Sequence, residues 1–105
     1  MYTIDKTDIF SKWLRRLKDR RAKAIIINHI DNMEDGKMGV FESVGRGIFE
    51  KKIDYGPGYR LYCAKHDESI ILLLCGGDKS TQQEDIKQAK KMWKVLKSMN
   101  IINTV

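Results

Sequence analysis

The side chains best suited to chemistry in this sequence are charged groups placed around one turn. Gly56-Pro57-Gly58 contains the only proline and is typical of a hairpin turn, because Gly permits positive φ and Pro fixes φ near about −65°. Side chains alternate between the two faces of a strand. On either side of the turn, alternation therefore predicts one shared face, opposite the more apolar one, for four residues: Glu50, Lys52, Arg60 and Tyr62.

This set of residues could support metal-free cleavage of RNA by its own 2′-hydroxyl. That reaction needs a base for the 2′-proton, a cation for the charge that develops on phosphorus, and an acid for the leaving 5′-oxygen. Lys52, Arg60 and Lys79 suit the second role, and Lys, Tyr or Glu could share the proton transfers. Spacing alone favours the simpler interpretation, in which these are solvated charges on an exposed sheet face.

Other chemistries find less support in the sequence. The stretch from Gly76 to Thr81 lacks the early glycine of a phosphate-binding loop, and Asp78 precedes Lys79 where that loop requires glycine. No histidine lies near a plausible nucleophile, and no carboxylate cluster suggests a magnesium site. Cys63 and Cys75 lack metal-ligand spacing and are expected to be reduced core thiols. We therefore predict neither a metal nor a cofactor.

Composition indicates one globular domain spanning residues 1–105, with a net charge of +6. Between positions 6 and 23 there are eight basic residues and two acidic ones, so this run alone carries the excess charge. Such a run is either a solvated helix face or a surface for a polyanion or an acidic partner. No apolar run approaches the roughly 20 residues of a membrane span, and the first residues lack a signal-peptide pattern. We expect a cytoplasmic protein without membrane contact.

Three amphipathic helices are predicted. The first follows a cap at Asp5 or Thr7, and the second is capped by Asp19 and ends near Gly36. A capping box of Thr81 with Glu84, or of Ser80 with Gln83, should begin the third. The tail after about residue 99 is expected to fray.

Strands are predicted at 2–4, 40–44, 48–55, 59–65 and 69–75. The run from Ile70 to Cys75 is apolar on both faces and should be the central strand. The predicted fold class is α+β, with an N-terminal helical hairpin packed on a mainly antiparallel sheet and a C-terminal helix.

Three sequence blocks resemble the phage-derived HigB-like branch of the RelE/ParE toxin superfamily, the addiction-module killer proteins. The resemblance extends from about Tyr2 to Trp93. Its blocks are Phe10, Trp13, Leu14, Leu17 and Asp19; the segment Ile53–Arg60; and the segment Leu73–Gln82.

This resemblance implies a RelE-like fold and the toxin of a type II toxin–antitoxin pair. Such toxins cut mRNA without a metal, typically at the ribosome, and are neutralised by a helix-turn-helix antitoxin, so that contact with DNA is only indirect. Lys52, Arg60 and Lys79 occupy the basic positions and are the expected catalytic residues. The expected substrate contacts are Glu50, Tyr62 and Arg46.

The sequence also departs from the pattern that it resembles. Lys52 stands where arginine is usual, and lysine cannot hold phosphate in a bidentate fork. Glu42 replaces a frequent lysine, and residues 30–40 lack a usual glycine- and asparagine-rich pattern. Two alternatives therefore remain: an inhibitor of DNA gyrase, as on the ParE side of the superfamily, or a weakly toxic remnant that mainly binds its antitoxin.

Overall fold

The computed structural model describes residues 2–99. Its elements are β1 (Thr3–Lys6), α1 (Asp8–Arg16), α2 (Arg20–Glu34), β2 (Glu42–Gly45), β3 (Ile48–Ile53), β4 (Tyr59–Lys65), β5 (Ile70–Asp78), a 3-10 turn (Lys79–Thr81) and α3 (Gln82–Ser98). The expected fraying of the tail after about residue 99 concerns residues outside this range. No helix within residues 2–99 is long and apolar enough to cross a membrane.

The strands form one sheet in the order β1-β5-β4-β3-β2. Strands β2 to β5 are antiparallel neighbours, whereas β1 lies parallel to β5. The predicted meander is confirmed, but the prediction that the Ile70–Cys75 run is central is wrong. β4 is the middle strand, and β5 lies between β4 and β1. The apolar run of β5 reflects cover on both faces, which a strand next to an edge also needs when helices lie on both sides.

Two apolar cores lie on opposite faces of the sheet. Residues of α1 and α2, such as Phe10 and Ile26, join Leu61 and Leu73 in the first core. Ala89 and Trp93 of α3 join Tyr62, Leu74 and others in the second. The α+β class, the N-terminal helical hairpin and the C-terminal helix are confirmed. The face that carries Glu50, Arg60 and Tyr62 is not open, however, because α3 packs over it.

Local polar contacts define the helix ends. The Thr7 side chain accepts a hydrogen bond from the Phe10 amide, and its hydroxyl donates to the Leu74 carbonyl of β5 at 2.6 Å. Asp19 caps α2 as predicted. After α2, the Gly36 amide donates to Met33 and the Lys37 amide to Asn32, which is the Schellman pattern around a left-handed glycine (φ 86°).

The predicted start of the last helix is wrong in detail. A capping box does form, but between Asp78 and Thr81, and it begins the 3-10 turn rather than α3. β5 also runs three residues beyond the predicted end, through Gly76 and Gly77. Glycine is required at these two strand positions because neighbouring side chains fill the space that a Cβ would occupy. A Cβ at Gly76 would collide with the Trp13 ring, and one at Gly77 with the Asp85 carboxyl.

Candidate nucleic-acid cleavage site

The turn between β3 and β4 sets the register of the candidate site. The Gly58 amide donates to the Tyr55 carbonyl at 3.1 Å, and both Gly56 (φ 58°) and Gly58 (φ 81°) adopt the left-handed conformation. As a result, Lys52 pairs with Arg60 and Glu50 with Tyr62 across the two strands. The face that alternation predicted for these four residues is therefore confirmed by the register.

Arg60 is buried under this turn and is held at two points. Its Nη1 donates to the Gly58 carbonyl at 2.9 Å. Its Nε lies 3.5 Å from Glu50 Oε2, within ion-pair range but without a hydrogen bond. Nη2 donates to no residue between 2 and 99, so this nitrogen is left for a ligand. The orientation of the guanidinium is thus fixed, while its Nη2 edge makes no hydrogen bond to the described residues.

Glu50 is the acceptor around which the buried polar groups converge. Its Oε2 accepts from the Tyr62 hydroxyl at 3.0 Å and from Gln82 Nε2 at 2.8 Å, besides its contact with Arg60. Burial, followed by the hydrogen bond to Glu50, raises the pKa of Tyr62 far above its ordinary value, so that the phenol stays protonated. Glu50 and Tyr62 are 3% and 0% exposed, which places them behind Arg60 rather than at the surface.

Lys52 lies on the exposed side of its cross-strand partner Arg60. Its Nζ is 3.5 Å from Glu42 Oε1, and more than half of each side chain is exposed. Glu42 is positioned by β2, where it pairs with Glu50. An exposed pair of this kind is worth about 0–1 kcal/mol, so Lys52 can exchange Glu42 for another anion at little cost.

Lys79 approaches the same turn from the end of β5. β5 brings Asp78 opposite Tyr59, and Lys79 begins the following 3-10 turn. A Cβ on Gly58 would lie 3.4 Å from Arg60 Nη1 and 3.7 Å from the Lys79 Cβ. Hydrogen bonds from Ser80, above all from its side chain, lower the pKa of Asp78, which therefore stays ionised beside Lys79. Three strands thus deliver Lys52, Arg60 and Lys79 to one end of the sheet.

Arg46 is not brought to this site. It lies in the turn between β2 and β3, six positions before Lys52 along an extended strand, which corresponds to about 20 Å. Its neighbours are the lysines of α3 near the other end of the sheet. Lys52, Arg60 and Lys79 therefore form the local set, with Glu50 and Tyr62 behind them and Arg46 apart.

Sequence reasoning missed two residues of this region, Gln82 and Asp85. Gln82 bonds to Glu50, and the Asp85 carboxyl lies over Gly77, which pairs with Arg60. Burial raises the pKa of Asp85 above its ordinary value, although its Thr81 hydrogen bond opposes this shift. Gln82 ends the third sequence block and Asp85 follows it, both in the first turn of α3, and that position is the signal that could have found them.

The two cysteines are buried and unpaired, as expected for core thiols. Burial raises the pKa of Cys63 and that of Cys75 to about 12 each. Within residues 2–99, no group of three or more His, Cys, Asp or Glu side chains is arranged to hold a metal ion.

Comparison with solved structures defines the class of fold. One chain in the crystal structure of the intact E. coli RelBE toxin–antitoxin complex superposes with a TM-score of 0.56 at 19% identity, covering 74% of this chain and 96% of that chain. The protein therefore has a RelE-like fold.

A closer relationship appears at the level of sequence. An uncharacterized protein of Haemophilus influenzae (strain ATCC 51907 / DSM 11121 / KW20 / Rd) is 51% identical over 87 residues, covering 83% of this chain and 88% of the relative. The chain belongs to the same family as this H. influenzae protein. No protein-family model matches the sequence.

Proposed function

We propose that this protein is the toxin of a type II toxin–antitoxin pair, of the HigB-like branch, and that it cuts mRNA in the cytoplasm, at the ribosome and without a metal. The observation that carries the proposal is the convergence of Lys52, Arg60 and Lys79 at one end of the sheet, with Arg60 fixed from behind by Glu50. The RelE-like fold supports it, since the solved structure that shares this fold is described as a toxin–antitoxin complex. The same likeness supports an antitoxin partner, which we propose to be a helix-turn-helix protein.

In the proposed reaction, the 2′-oxygen of the RNA attacks the adjacent phosphorus and loses its proton to a base. The new O2′–P bond forms as the P–O5′ bond breaks, and the 5′-oxygen takes a proton. Arg60, through Nη2, and Lys52 would hold the phosphate oxygens as charge develops. Lys79 would assist the leaving group. Glu50 and Tyr62 are assigned a positioning role instead of the direct substrate contact expected from the sequence, because both are buried.

Cleavage of mRNA in a purified translation system tests this proposal. Replacing a preorganised donor at the reacting phosphate costs about 10²–10³ in rate, so Arg60→Lys should lose at least that much, since lysine offers no fork. Lys52→Gln and Lys79→Gln should also lose activity while keeping the fold, because both side chains are exposed. Full growth arrest by Arg60→Ala, at wild-type protein levels, would show that the site is misassigned.

The two alternatives give different results in the same experiments. A gyrase inhibitor would block DNA supercoiling by gyrase and would leave mRNA intact during translation. A remnant that mainly binds its antitoxin would do neither. One contact favours weakened activity over full toxicity, namely the ion pair that engages Lys52 with Glu42.

A further inference from the structure

A second basic surface lies away from the proposed cleavage site. It is lined by one residue of the β2–β3 turn and five of α3: Arg46, Lys90, Lys91, Trp93, Lys94 and Lys97. Five of these six residues are cationic and none is acidic. We refer to these residues as the α3 basic surface.

The turn that carries Arg46 is held against α3. Gly45 (φ 93°), Arg46 (φ 59°) and Gly47 (φ 80°) are all left-handed, which is unfavourable for arginine by about 1–2 kcal/mol. A Cβ on Gly45 would lie 3.5 Å from Lys90 Nζ, and one on Gly47 would lie 3.4 Å from Trp93 Nε1. The turn therefore adds a cation to a helix face that is already basic.

The lysines recur along one side of α3. Lys90, Lys94 and Lys97 are four and three positions apart, so they share a face and span about 10 Å. Like charges at this spacing repel and weaken a helix slightly. The ion pair found on α3 within residues 2–99 joins Lys87 to Glu84, outside this surface. Phosphate groups bound along this face would relieve the repulsion.

The surface offers charge but no ring for stacking. Trp93 is 7% exposed, with Lys97 Nζ 5.6 Å from its ring centre. Proteins that hold single strands usually stack bases on exposed aromatic rings, whereas double-helical RNA is recognised through its backbone and shape. The residues that line this surface offer five cationic side chains and no exposed aromatic ring, which suits the backbone of a duplex.

We propose that the α3 basic surface binds the phosphate backbone of double-helical RNA. The choice of RNA over other polyanions rests on the proposed function. Because Arg46 and Lys52 are about 20 Å apart along the sheet, the two sites can hold different segments of one RNA: a paired segment on α3 and an unpaired segment at Arg60.

Binding of a short blunt-ended RNA duplex, measured by fluorescence anisotropy over a range of salt concentrations, tests this inference. The variant K91Q/K94Q/K97Q removes three exposed lysines, and K12Q/R15Q/R16Q removes the same charge from exposed positions of α1 as a matched control. The α3 variant should bind at least about tenfold more weakly at low salt, with a slope of log K against log salt reduced by about 2–3. The α1 variant should stay within about threefold of wild type.

Equal losses in the two variants would mean that only net charge matters, and no loss in the α3 variant would mean that the surface does not bind; either result overturns the inference. Equally tight binding of a DNA duplex of the same sequence would overturn the assignment to RNA. The readout does not depend on cleavage. If wild type cuts no mRNA but the α3 variant loses duplex binding, only the proposed function is contradicted. If wild type cuts mRNA and the α3 variant binds the duplex as tightly as wild type does, only this inference is contradicted.

Discussion

Lys52 and Arg60, two cations, are direct cross-strand partners in β3 and β4. Like charges placed opposite each other destabilise a sheet, and here each has its own carboxylate. Glu50 lies 3.5 Å from Arg60 on the buried side, and Glu42 lies 3.5 Å from Lys52 on the exposed side. The two carboxylates differ in depth, so their removal should have different consequences.

Glu50→Gln should destabilise the fold by about 3–5 kcal/mol, because it leaves the buried Arg60 charge uncompensated. The free energy of unfolding in urea measures this effect. Glu84→Gln, which removes an exposed pair with Lys87, is the control and should change stability by less than about 1 kcal/mol. The double variant Glu50→Gln/Arg60→Met should recover part of the loss; purely additive effects would show that the two groups are not coupled.

Glu42→Gln should raise RNA cleavage about two- to fivefold with little change in stability, since it frees an exposed Lys52 to bind phosphate. Cleavage rates at low salt give the measurement. The gain should shrink as salt is raised, because exposed charges are screened. Unchanged or reduced cleavage at low salt would show that Lys52 is not a phosphate ligand.

Gly58→Ala and Gly56→Ala form a matched pair in the turn. Both residues have positive φ, so each change should cost about 1–2 kcal/mol of stability. Only the Gly58 substitution reaches the site, since its Cβ would stand 3.4 Å from Arg60 Nη1, whereas that of Gly56 meets the Tyr59 ring at 3.6 Å. Gly58→Ala should therefore also lose about tenfold or more in cleavage. Equal activity in the two variants would argue against a fixed Arg60.

Cys63 and Cys75 should make the protein less stable above about pH 9. Burial raises the pKa of each thiol from 9.0 to about 12, so the folded state retains protons that the unfolded state releases. The stability that they contribute is therefore complete below pH 9 and declines as the pH rises toward 12. At pH 10 the loss is about 1.4 kcal/mol per thiol. The free energy of unfolding should therefore fall more between pH 7 and pH 10 in wild type than in C63A/C75A. An equal fall in both proteins would show that the two thiols are not the source of this pH dependence.

The arrangement of the β3–β4 hairpin follows from its local sequence. Alternation and the glycines of the turn are enough to place Glu50, Lys52, Arg60 and Tyr62 on one face, and the register confirms this. Local patterns also predict the cap at Asp19 and the glycine after α2.

Contacts between segments that are distant in sequence could not be predicted from local sequence patterns. The amphipathic pattern of α3 predicts a helix but not that it covers Glu50, so the burial of that carboxylate could not be foreseen. Likewise, an apolar run shows that β5 is covered, while its place between β4 and the edge strand β1 depends on long-range parallel pairing with β1. By themselves, Gly76 and Gly77 suggest that a strand ends before them. Glycine is needed within the strand because the side chains of Trp13 and Asp85 occupy the space beside it, and both come from other segments of the chain, so local patterns could not reveal this.

The Thr7 side chain both caps α1 and donates to Leu74, 67 positions later in the chain. The first helix is therefore not fully anchored until almost three quarters of the chain has been synthesised, and within residues 2–99 the strand that pairs with β1 is β5. Contacts so distant in sequence close slowly. A newly made chain should therefore remain unfolded, and its cationic residues scattered, until synthesis passes β5.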